Sequence, residues 1–552
     1  MKKRLSVLLT TLIMLTALTL TVGCNSLSDD NSNGSGDNTG NGTTQEHTHT
    51  FATDWSNDGE YHWYDATCEH NVTDKKAKHT FDENNMCSVC KYYATDGFIF
   101  ELNSDNSAYT IKGLEEGANK TQLVIPSVYN GKPVTAIEKN AFKDCDNLTS
   151  VKISPNINSI GAFAFDGCTG LNGVYITDLS SWCNIDFKGT ASNPLECAQK
   201  LYLNDVLVTR LEIPADITLL DSYAFYNCND ISELSVSTDN TVYKSENNCI
   251  IEKEKNRLVF GCKNSVIPEY VTAIGTSAFE SCKGLKSIVI PQSVKSLGFN
   301  AFKNCTTLTS VEMPSEMTSI LDDAFKNCSS LKSISIPKGI ISIRNGVFSG
   351  CSSLTNIDIP EGITEIHSLA FAFCRSLTRI TLPSSITDIQ SFAFVDCRAL
   401  TIYCEAVDKP IYGNWDSSWN SSCPVVWDYK NNDIADDGNI YYVADNGLRY
   451  ALKDGIAELT NQPDNISGEK IISTDINYKG ANYNVTGIKS EAFRSCKKLT
   501  GIIIPLCITN IESKAFVYCD NLTIYCEIQS KPNSWSLWWN EDSLPVIWGY
   551  IG

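Results

Sequence analysis

Ala278-Phe279-Glu280-Ser281-Cys282-Lys283-Gly284-Leu285-Lys286-Ser287-Ile288-Val289-Ile290-Pro291 holds the landmarks from which the fold can be read. The same landmarks return 23 residues later as Ala301-Phe302, Cys305 and Leu308, and the phenylalanines 279, 302, 325, 348, 371 and 394 are all 23 apart. Phe142 and Phe165 keep the interval, as do Phe493 and Phe516, and a cysteine follows each of these phenylalanines by three positions. A fixed period of this length marks stacked structural repeats. Within each unit, Ile-x-Ile alternates like a short strand with one face inward, and the proline stops it. One unit is too small to enclose a core. Stacked units succeed, because each coil lays its apolar residues on the same residues next door. The expected fold is a solenoid with a parallel β-sheet along one face and internal ladders of Leu, Ile, Phe and Cys.

The cysteines fit that reading. Eleven of the 23 sit at one repeat position, between a buried Phe and a buried Leu. Cysteine is small and among the most buried residue types. These are expected to be core thiols, because disulfides between successive coils would oppose the stacking geometry.

Outside the regular run, the intervals from Phe165 to Phe225 and from Phe225 to Phe279 are 60 and 54 residues, read as modified coils with surface loops. A longer gap separates Phe394 from Phe493. Leu400-Thr-Ile-Tyr-Cys404-Glu opens a segment closing on Trp427-Asp-Tyr429, and Leu522-Thr-Ile-Tyr-Cys526-Glu opens a second closing on Trp548-Gly-Tyr550. Solenoid ends expose a cross-section of core and need covers. The two Trp-rich segments, with Trp419 and Trp539 at their centres, are therefore expected to cap two arrays, each with a strand-rich entry. The outward strand positions are mostly polar. Lys286, Thr309, Lys332, Asn356, Asp358 and Arg379 are the candidate binding residues, with Arg344, Trp182 and the cap tryptophans as further anchors if exposed.

The repeat Ala-Phe-x-x-Cys-x-x-Leu-x-x-Ile-x-Ile-Pro resembles that of the BspA-like leucine-rich-repeat family of bacterial surface proteins, over about residues 97–550. The resemblance implies a leucine-rich-repeat solenoid of 23-residue coils on an exported, non-enzymatic protein. It also implies adhesion to a protein or glycan partner on a host or neighbouring cell. The alternatives are a structural spacer and, less favoured, a metal-dependent enzyme.

The N-terminus agrees with export. Lys2, Lys3 and Arg4 precede an apolar run from Leu5 to Val22, and Leu20-Thr21-Val22-Gly23-Cys24 resembles a lipobox, with Cys24 as the lipidation site. Thr21 stands where the usual motif has Leu, so a plain secretory signal is the alternative. Residues 25–45 are nearly all Asn, Ser, Gly, Asp and Thr, a composition that suits a flexible tether. No second stretch is long and apolar enough to span a membrane, so contact with the membrane is expected through the lipid alone.

Residues 46–94 gather five of the six histidines and a Cys87-Ser-Val-Cys90 knuckle. Cys68, His70, Cys87 and Cys90, with His79 as a possible fifth ligand, suit a structural Zn²⁺ of the zinc-ribbon type. A segment this small lacks a core sufficient to hold itself. Disulfides at Cys87–Cys90 or Cys68–Cys87 remain the alternative. The predicted organisation is thus signal peptide 1–24, linker 25–45, Cys/His module 46–94, first capped array 95–429 and second capped array 430–552.

Charge narrows the partners. The formal net charge is −20, which disfavours nucleic-acid phosphates and bare anionic membranes. No nucleophile–base spacing, phosphate loop or dinucleotide fingerprint is present. His367, the one histidine beyond the first 80 residues, is expected to be a solvated turn residue.

Overall fold

A computed structural model describes residues 97–552 except 119 and 409–413, together with 51–52, 56–57, 61–67, 73–80 and 87–89. The signal peptide, Cys24 and the 25–45 linker lie outside the described residues.

Each regular coil contributes two short strands and a run of turns. The Ile-x-Ile segments form the expected parallel sheet. Ser287–Val289 pairs with Ser310–Glu312, and Ser333–Ser335, Asn356–Asp358, Arg379–Leu382, Thr401–Cys404 and Val425–Val426 continue as a second parallel group. In the first four of these strands the middle Ile or Val is buried and its neighbours are exposed. A second parallel rail runs beside the first through two-residue strands, among them Ser342–Ile343, Glu365–Ile366 and Asp388–Ile389. The sequence pattern marks no strand there. Two residues are too few to show alternation, so the second rail is a finding of the structure.

The turns stack as well. Phe302 N donates to Ala324 O at 2.8 Å and Asn304 N to Lys326 O at 2.8 Å, so the turn backbone finds its partners one coil on. The residue before each repeat cysteine is left-handed, with φ of 61° at Asn304, 59° at Asn327 and 75° at Gly350. Asn and Gly tolerate that conformation best, which explains their recurrence at the position. Inside, the rings of Phe279, Phe302, Phe325, Phe348, Phe371 and Phe394 stack with centroids 5.0 to 5.9 Å apart. Beside them the thiols from Cys305 to Cys397 each donate to the carbonyl of the Phe one coil back, as Cys305 does to Phe279 O at 3.0 Å and Cys397 to Phe371 O at 3.0 Å. The described cysteines of the repeats are free thiols.

The irregular intervals are more ordered than surface loops. The first holds a short helix, Leu179–Cys183, capped by Asp178, whose carboxylate accepts from Ser181 N at 2.6 Å. It carries Trp182 into the core, where the indole N–H donates to Ala224 O at 2.8 Å. The second holds an antiparallel meander, Tyr243–Glu246, Cys249–Glu252 and Arg257–Gly261, whose last strand pairs in parallel with Ala273–Ile274 and starts the second rail. The chain uses the same device elsewhere. The hairpin Phe98–Leu102 with Tyr109–Leu114 runs into Lys132–Ile137 in parallel, and the meander Ile440–Leu459 runs into Ala481–Ile488. An antiparallel ribbon covers the first coil's backbone on one side and offers a ready edge on the other.

Trp419 packs edge-on against Phe394, with centroids 6.1 Å apart at 78°, and Trp539 against Phe516 at 6.0 Å and 82°. Both Phe ladders thus end on an indole. Among the described residues no helix is long and apolar enough to cross a membrane.

Candidate functional site

The six candidate binding residues all lie on the outer side of the first sheet and are all exposed. They fall on three parallel rows. Lys286, Thr309 and Lys332 form one, just before each strand, where Thr309 Oγ1 donates to Lys286 O at 2.9 Å. Asn356 and Arg379 belong to the row of Ser287, Ser310 and Ser333, and Asp358 to the row of Glu312 and Ser335. Neighbouring strands stand about 4.8 Å apart, so the rows present a regular grid of polar side chains. The further anchors fare differently. Trp182 is buried, as are Trp415, Trp419, Trp535 and Trp539, and Arg344 is held by Asp322 at 3.1 Å. His367 is held too, with Nε2 3.1 Å from Glu365 Oε2. Among the cap tryptophans Trp538 is the exposed one.

Arg379 stands apart from the others. Its guanidinium lies 3.6 Å over the Tyr403 ring and 5.6 Å from that of Tyr429, facing a cavity between the first array and the start of the second. Arg449, buried, reaches the same cavity. Tyr403 and Tyr429 were legible only as parts of a cap segment, and Arg449, outside the 23-residue pattern, was not singled out at all.

In the Cys/His module, Cys68, His70 and Cys90 lie outside the described residues. Of the proposed ligands the structure brings His79 and Cys87 together, and adds His62. An antiparallel hairpin, Tyr61–Asp65 with Thr73–Lys78, sets His62 near His79. Their Nδ1 atoms are 3.3 Å apart, and Cys87 Sγ is 3.6 Å from His62 Nδ1. With Zn–N of about 2.0–2.1 Å and Zn–S of about 2.3 Å, a tetrahedron has N···N edges of about 3.3 Å and N···S edges of about 3.6 Å. The spacing of these atoms therefore suits one shared zinc ion. His62 and Cys87 are buried, which shields such a site from water.

Burial pushes Cys168, Cys351 and Cys519 up to about 12, far from thiolate formation at neutral pH.

Comparison with known proteins agrees with the repeat. No curated protein matches the chain. Among solved structures, a leucine rich cell surface protein from Faecalibacterium prausnitzii shares 27% identity, covering 59% of this chain and 96% of that one, at a TM-score of 0.32. A leucine-rich repeat protein from Eubacterium ventriosum shares 18% identity over 80% and 95% of the two chains, with a TM-score of 0.38. The pneumococcal vaccine antigen PcpA shares 15% over 64% and 94%, with a TM-score of 0.39. The family model described as "BspA type Leucine rich repeat region" matches in six copies across residues 116–192, 135–272, 272–401 and 471–535. With more than half its length matched, this chain belongs to the BspA-type leucine-rich-repeat family.

Proposed function

We propose that the chain is an exported surface protein, held to the membrane by lipid on Cys24, that binds a protein or glycan partner without catalysis. The observation that carries the reading is the exposed polar grid, repeated at strand spacing over several coils. Such a face offers many weak contacts in register, a use to which extended solenoids are suited. The tether of residues 25–45 would hold that face clear of the membrane. To test it, the full chain is titrated against arrayed matrix proteins, mucins and glycans, beside a variant carrying Lys286→Ala, Lys332→Ala and Asp358→Ala. Saturable binding by the parent, weakened in a variant of unchanged melting temperature, is expected. A parent that captures nothing sinks the reading in favour of a spacer.

The N-terminal module serves in this proposal as a zinc-stapled unit, with His62, His79 and Cys87 as three ligands. The edge lengths above support it. Cobalt(II) added to the chain should give the visible absorption of a tetrahedral thiolate site, lost on Cys87→Ser or His62→Ala. Substituting Cys68, His70 and Cys90 in turn identifies the fourth ligand. Unchanged spectra on adding cobalt would remove the metal from the proposal.

A further inference from the structure

Where the first array ends and the second begins, the chain encloses a cavity of 450 Å³. Its walls come from strands Arg379–Leu382 and Thr401–Cys404, the turn around Asp433, strands Ile440–Val443 and Arg449–Lys453, and the Tyr478-Lys479 turn. The last repeat strands of the first array and the entry of the second build it together, and its lining is unlike the rest of this acidic molecule. Arg379, Arg449 and Lys479 face it against the single carboxylate of Asp433.

Those charges are unevenly satisfied. Lys479 pairs with Asp433 at 2.6 Å, and Tyr478 donates to the same carboxylate at 3.1 Å. Asp437 accepts from the Tyr441 hydroxyl. Among the described residues neither guanidinium has an ion-pair partner. Arg449 is only 2% exposed; its Nη2 donates to Thr401 Oγ1 at 2.8 Å and its guanidinium lies 4.2 Å over Tyr441. Burial lowers its pKa to about 10, so it stays charged at neutral pH. A buried cation is costly and rare, and the carboxylate of Asp437 acts on this one without a direct ion pair. Tyrosine faces and one hydroxyl offset part of that cost. A carboxylate entering the cavity would supply the rest, and a guanidinium receives a carboxylate in a planar, two-bonded geometry.

We propose that this cavity binds the carboxylate of an acidic sugar, a uronic or sialic acid unit of a glycan. The tyrosines favour a sugar over a peptide end. Tyr403, Tyr429, Tyr442 and Tyr478 line it with flat rings, against which the C–H face of a pyranose packs while hydroxyls reach polar edges. Capture of a peptide terminus relies on convergent backbone N–H groups, whereas the residues that line this cavity offer two guanidiniums and a set of tyrosines. The inference rests on the reading that the chain binds an external partner, and names the ligand class for one place on it.

Calorimetric titration of the full chain with glucuronate and with N-acetylneuraminate tests it, with glucose and an N-acetylated dipeptide carboxylate as comparators. At least one acidic sugar should bind saturably and glucose should not. Arg379→Gln, on an exposed side chain, should weaken binding by about tenfold or more at unchanged melting temperature. Arg449→Lys, which keeps the charge but not the fork, should weaken it too. No binding of either acid, or binding indifferent to Arg379→Gln, overturns the site, and preference for the dipeptide overturns the sugar. Partner capture lost only in the Lys286/Lys332/Asp358 variant and kept in Arg379→Gln would overturn the cavity while leaving the surface reading standing.

Discussion

At the scale of single residues, the repeat cysteine shows how one position serves the whole ladder. Its thiol donates to a Phe carbonyl one coil back that already accepts the cysteine N–H of its own coil, as at Phe279, so one carbonyl joins two coils. The same burial makes the folded state sensitive to alkali. Cys168, Cys351 and Cys519 have an ordinary value of 9.0 that burial raises to about 12. Folded chains therefore keep protons that unfolded chains release. The stability tied to these thiols is complete below pH 9 and falls as pH rises from there through 12, at about 1.4 kcal/mol per pH unit for each thiol. Denaturant midpoints at pH 8 to 11 should drop steeply, and replacing Cys351 by Ala should flatten the slope. A midpoint level across that range would show that the thiols are not buried as described. This residue was legible in the sequence because it recurs. His62 was not chosen as a ligand for the opposite reason. Spacing arguments favour CxxC knuckles, while a hairpin register, which spacing does not reveal, sets His62 beside His79.

At the scale of elements, legibility follows length and repetition. The Ile-x-Ile strands announce themselves by alternation and by the proline that ends them. The second rail does not, since Ser342–Ile343 and its counterparts show one buried side chain each. The helix Leu179–Cys183 is five residues long, too short for a helical period to appear, though Asp178 at its start is a recognisable cap. The covers were visible as paired Trp-rich segments, and their geometry makes a prediction. Trp539 meets Phe516, Trp535 and Trp548, and shuts the end of the second ladder. Trp539→Ala should cost about 3–5 kcal/mol. Because each coil touches only its neighbours, the loss should stay local. Hydrogen exchange should quicken at Thr523–Cys526 and Leu499–Ile504 while Ser310–Glu312 and Ser333–Ser335 keep their protection. Even loosening along the chain would argue that the solenoid behaves as one cooperative block.

At the scale of the whole molecule, shape and charge act together. A solenoid spreads its residues along an axis and so has few contacts that bind distant parts. The two arrays are tied by a handful of polar contacts, among them Asp464 N to Arg375 O at 3.3 Å and Arg449 to Thr401. Across this frame, 64 acidic side chains face 44 lysines and arginines. The ion pairs are mostly at the surface, such as Lys497–Asp520 with both partners 64% exposed. Exposed pairs of that kind contribute little. Repulsion among unpaired acids is long-ranged, and it should set the sign of the salt response. The screening length falls from about 30 Å at 0.01 M to about 10 Å at 0.1 M, which removes distant repulsions before it touches close pairs. The melting temperature should therefore rise as sodium chloride is raised from low concentration to physiological strength. Binding of an anionic sugar should strengthen over the same range, because the field of the whole chain opposes its approach while the contacts of Arg379 and Arg449 are short. A melting temperature that falls with salt would mean that ion-pair attraction outweighs the net charge, and the acidic surface would then be a stabilising network.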